Sequence, residues 1–133
     1  MDQGSLVIDQ ISAGAAFVSE LDKSLSVKIA SWVKAFDDDK WILFVASDKL
    51  NQVDIREAYG EVLRLARQMP ELGIDPLEVK LAGSDDAVAR ALLELQGWYP
   101  ATKLRTHYRG LALAGVSIEE AIIYGSLNAL ACP

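Results

Sequence analysis

Between Lys103 and Gly110 the chain reads KLRTHYRG, with Lys103, Arg105, His107 and Arg109 at every second position. Successive side chains of a β-strand leave opposite faces, so this spacing lines three cations and the only histidine of the chain along one face. Imidazole titrates closest to neutral pH, and a guanidinium group is a planar fork for carboxylate or phosphate. Three readings follow. The row is an exposed sheet face whose charges blunt edge pairing. Alternatively, it docks an acidic partner or a second copy of this chain, whose net charge is −6. In the third reading it holds a small anion or nucleotide, with His107 as acid/base and Arg105 or Arg109 gripping the anion.

Carboxylates lie close behind. Glu119 and Glu120 are adjacent, so on a strand they face opposite ways and cannot share a proton. Parity puts Glu120 with Ile118 and Ile122. A carboxyl buried in such apolar company keeps its proton more readily, which is the chemistry of a general acid. The alternative is that Glu120 lies near a sheet edge or pairs with a buried donor such as Tyr108 or Tyr59. A bend centred on residues 111–113 sets Arg105 opposite Glu119, His107 opposite Ser117 and Lys103 opposite Ala121. Leu104, Thr106 and Tyr108 then share the core side. The register one residue away pairs Arg105 with Glu120 and mixes Ile118 and Ile122 with cations, so the first is expected. The candidate binding face is therefore Lys103, Arg105, His107, Arg109 and Glu119, with Glu120 as the candidate buried acid. An enzyme built here would use His107, Arg105 and Arg109 with Glu120 or Tyr124.

Other chemistries find no motif. SAGAAF lacks the glycine spacing and the Lys-Ser/Thr ending of a phosphate loop, and no Gly-x-Ser-x-Gly elbow occurs. One histidine and the penultimate Cys132 are too few soft ligands for zinc, and DDDK lacks the glycine and distal glutamate of a calcium loop. No metal and no cofactor is expected. The acidic balance disfavours general nucleic-acid binding, which depends on cations neutralising phosphates. WILFVA, the longest apolar run, is far short of the ~20 residues of a membrane helix. An unpaired cysteine and an acidic start without a basic leader point to the cytoplasm.

The elements that must position these residues follow from periodicity. Ile8, Ile11, Ala15, Val18, Leu21 and Leu25 recur at three and four, one face of a helix, although Gly14 weakens it. Residues 27–36 alternate, and WILFVAS after DDDK reads as the central second strand of a hairpin. In the first strand Trp32 and Phe36 alternate with lysines. They are either core beneath the first helix or an exposed aromatic interface. A helix from Asp54 to Pro70 presents Ile55, Tyr59, Val62, Ala66 and Met69. LEVKLA is a third strand with Leu77, Val79 and Leu81 inward. Ser84 is expected to cap a helix that Gly97 stops. For residues 117–131 a capping-box spacing argues for helix, whereas the β-branched run VSIEEAII favours a strand over 116–124.

The expectation is one domain over residues 1–133, of α+β class. Its order is α-β-β-α-β-α-β-β, a two-layer sandwich with helices on a largely antiparallel sheet. MDQGS and the tail from 125 to 133 are unassigned. WVKAFDDDKWILFVAS, DIREAYGEVLRLARQM and VSIEEAIIYG, in that order, resemble small bacterial proteins of uncharacterised function. In these a Trp-containing hairpin precedes a helix, and a C-terminal strand ends in Glu-Ala-Ile-Tyr-like residues. The resemblance implies a fold and no catalytic residues. The functional expectation is a non-enzymatic protein-interaction or self-associating module, a homodimer or a binder of another protein. A small-molecule-binding protein or enzyme around His107 is the alternative.

Overall fold

The computed structural model describes residues 8–35, 40–51, 55–98, 105–113 and 116–124. For residues 8–9, 35, 51, 95–98, 105–113 and 116–120 it describes the backbone alone. The elements are α1 (Ile8–Leu25), β1 (Val27–Ala35), β2 (Trp41–Ser47), α2 (Ile55–Gln68), β3 (Val79–Gly83), α3 (Ala87–Trp98), β4 (Arg105–Leu113) and β5 (Val116–Tyr124). This is the expected order, and residues 116–124 form a strand. The strands make one sheet in the order β3-β2-β1-β5-β4. β1 pairs antiparallel with β2 and β5, and β4 antiparallel with β5. Only β2 and β3 run parallel, because a parallel pair needs a long crossover, which α2 supplies. No described helix is long and apolar enough to cross a membrane.

The α+β class and the largely antiparallel sheet stand as expected, and the structure adds a layer. α1 and α2 pack on one face, over Trp32, Leu43, Val45 and Tyr124. Ala89 and Leu92 of α3 pack on the other, over Phe44, Ala46, Ala121 and Ile123. Helices therefore cover both faces, where the two-layer expectation placed them on one. β2 is buried on both sides, as a central strand should be. In β1 the register shifts between Val27 and Ile29. That irregularity moves Val27 to the face of Ala30 and Trp32, which uninterrupted alternation would have denied it.

A polar clamp holds α1 down. The Trp32 indole N–H donates to the Tyr124 hydroxyl at 2.8 Å, and that hydroxyl donates to the Ile11 carbonyl of α1. Both rings are buried, so the chain satisfies two polar tips in the core through one bond network. Tyr124→Phe should lower stability by about 2 kcal/mol, the usual cost of a buried donor left unsatisfied. A urea melt of the variant checks this. Adding Trp32→Phe to it should recover part of the loss.

Three local expectations need correction. In α2 the expected residues Tyr59, Val62, Ala66 and Met69 do pack on the core, but Ile55 is exposed and the buried face extends instead to Ala58 and Leu65. The helix α3 is capped by Asp86, whose carboxylate accepts the Val88 and Ala89 N–H groups at 3.0 and 3.3 Å, and Ser84 instead binds Asp48. Gly97 lies within α3. Leu77 belongs to a 3₁₀ turn, Pro76–Glu78, and β3 begins only at Val79.

Candidate functional site

The β4–β5 hairpin carries most of the sequence-predicted residues, and its register differs from the expected one. Arg105 stands opposite Tyr124, His107 opposite Ile122 and Arg109 opposite Glu120. Leu113 faces Val116, leaving only residues 114 and 115 as the connection. Two-residue links with glycine are the commonest hairpin closures. This closure also sets Leu111 against Ile118 and Leu113 against Val116, apolar pairs lost when residues 111–113 are treated as the bend. Arg105 is thus not set against Glu119, nor His107 against Ser117. Lys103 lies outside the described residues.

By register, Arg105, His107 and Arg109 take positions on the face of Ile122 and Tyr124, the α1 side. Glu120 is the pivot. It stands opposite Arg109 on β4 and opposite Lys34 on β1. Lys34 in turn faces Trp41 on β2. One row across four strands therefore reads Trp41, Lys34, Glu120, Arg109. Lys34 is a buried cation, 7% exposed, and its own sequence signal was weak. Alternation grouped it with Ala30 and Trp32, but lysines on mixed faces are ordinarily solvated. A glutamate bracketed by two cations is differently placed from a lone acid among isoleucines, the setting expected from parity alone. By register alone, Glu120 has a residue of cationic type opposite it on each neighbouring strand.

Trp32 is buried beneath α1, the covered alternative of the two readings. It offers no interface area, and Phe36 lies outside the described residues. Trp32 does line a cleft with Gln10, Gly73, Ile74, Asp75 and Glu78. Its volume of about 20 Å³ accommodates about one water, against several hundred Å³ for typical ligand pockets.

The residue that sequence reasoning misplaced most is Leu77, which is 93% exposed. Its turn is built to hold it out. Asp75 caps the turn and accepts the Leu77 N–H at 2.9 Å, with Pro76 at the first position. Just before it, Gly73 adopts φ +67°, a left-handed conformation that glycine tolerates best. The pair Asp75-Pro76 was a legible turn signal; alternation into Val79 and Leu81 overrode it. No protein-family model matches the chain, and no match to it was found among curated proteins or solved structures.

Proposed function

We propose that the protein is a self-associating module of the cytoplasm that works by binding a second copy of itself rather than by turnover. The observation that carries this reading is Leu77, a large apolar side chain kept in solvent by a capped, proline-braced turn. Scattered exposed leucines are ordinary; one locked outward on a short turn is suited to insertion into a partner. The rival, an anion site around His107, has less support. Two of the cations on that face, Lys34 and Arg109, already stand opposite a carboxylate, which competes for them.

Mass measured by light scattering tests the proposal. A concentration-dependent dimer is expected by about 100 μM, where a dimer with a Kd near 1 μM is almost fully assembled. A strict monomer there overturns it. Thermal-shift assays with inorganic phosphate, nucleotides and organic acids should show no rise in Tm. A rise abolished by His107→Ala or Arg105→Ala would move the function to the anion site.

A further inference from the structure

The outward side of α2 has a pattern that its core-facing side does not explain. Arg56, Gly60, Leu63 and Arg67 follow one another at spacings of four, three and four, one stripe along the helix. All four are exposed, and Leu63 retains 46% exposure. A Cβ built on Gly60 would meet nothing within 4 Å, so the stripe has an open shelf at its centre. The stripe is thus an exposed Gly60–Leu63 shelf between two arginines.

The Leu77 turn is its complement. Residues 70–78, PELGIDPLE, hold Glu71, Asp75 and Glu78 and no lysine or arginine, so the exposed leucine has an acidic rim. The turn packs against α2 in the same molecule. A chain that carries both halves of a match can satisfy it twice about a two-fold axis, each copy presenting its knob to the other's shelf.

The sheet edges are less suited to the same task. At the β3 edge, the Leu81 N–H donates to the Tyr59 hydroxyl at 3.0 Å, which occupies a group that an added strand would need. At β4, antiparallel self-pairing about His107 would set Arg105 against Arg109 and His107 against itself, a like-charge arrangement.

We infer that two copies associate through this surface, Leu77 of each seated on the Gly60–Leu63 shelf of the other, with Glu71, Asp75 and Glu78 facing Arg56 and Arg67. The inference rests on the self-association reading and gives it a location. The experiment uses the full chain in three forms: wild type, Arg56→Glu/Arg67→Glu, and Glu71→Lys/Glu78→Lys. Arg56, Arg67 and Glu71 are exposed and Glu78 is half-buried, and circular dichroism checks that each form is folded. In a two-fold dimer each reversed form sets like charges against like at both contacts, so each alone should dissociate at least 10-fold more readily. Mixed one to one, the two forms meet with opposite charges at both contacts and should form a heterodimer. Leu77→Asp should be monomeric at concentrations where the wild type is dimeric. If the wild type dimerises but the reversed forms do so equally well and Leu77→Asp is unaffected, this surface is wrong while self-association stands. A monomeric wild type removes both.

Discussion

Gly14→Ala should destabilise the protein, although the same exchange inside a helix ordinarily stabilises by about 1 kcal/mol. The sign reverses because of what lies beneath. A Cβ at Gly14 would be in steric conflict with the Tyr124 hydroxyl and would sit 2.7 Å from the Trp32 indole nitrogen. Both belong to the clamp that ties α1 to the sheet. Neither can retreat far, since Trp32 and Tyr124 are buried and interiors are close-packed. Over-packing of this kind costs about 1–3 kcal/mol, and disturbing a buried hydrogen bond adds about 1–3 more. Set against the propensity gain, a net loss of about 3 kcal/mol is expected, with the urea midpoint falling and the slope unchanged. Gly14→Val should be worse. Coupling identifies the cause: combined with Tyr124→Phe, which removes the obstructing oxygen, Gly14→Ala should cost distinctly less than it does alone. A stabilised Gly14→Ala variant would show that α1 does not approach the sheet so closely.

Gly14 shows where periodicity misleads. On the sequence it counts only as a weak helix residue, because its use depends on two side chains from distant strands. Phe17, wholly buried yet off the expected stripe of α1, has a similar explanation. The helix is flanked by α2 as well as the sheet, which widens its buried arc beyond one apolar face. What was legible followed from local rules: β2 as a central apolar run, α2 as a helix between β2 and β3, and strand rather than helix for 116–124. The expected β4–β5 register fails because it spends residues 111–113 on a bend, whereas they belong to β4. Pairing was decided by Leu111 and Leu113, whose apolar partners lie across a two-residue link. The third layer was invisible for a different reason. Alternation marks two faces of a strand but not which helix covers each. As for the candidate site, residue types could be read and neighbours could not. Lys34 and Glu120 are 86 positions apart in the chain, and nothing local joins them.

That pair is where the second large effect is expected. Lys34 is almost wholly withdrawn from solvent, and the residue opposite it on β5 is Glu120. Removing one partner of a buried ion pair costs about 3–5 kcal/mol, since it strands the other charge, whereas replacing both with apolar residues is often neutral or better. The two single replacements should not cost the same. Glu120→Ala removes the acidic residue that the register sets between Lys34 and Arg109, and Lys34 is on β1, in the sheet interior between β2 and β5. Lys34→Met leaves Glu120 with Arg109 still opposite. Glu120→Ala should therefore lose about 3 kcal/mol or more and Lys34→Met distinctly less. Lys34→Met/Glu120→Leu should return close to wild type, because Arg109 is on the edge strand, where a long side chain can reach water. Guanidinium melts of the four proteins form the cycle. Strict additivity, with the double variant as weak as the sum, would mean that Lys34 draws its compensation from another group and that the row across the sheet is only a coincidence of register. The cycle bears on function too. If Glu120 holds two cations for structural reasons, Arg109 and Lys34 are not available to grip a phosphate, and the basic row is part of the protein's framework rather than its binding site.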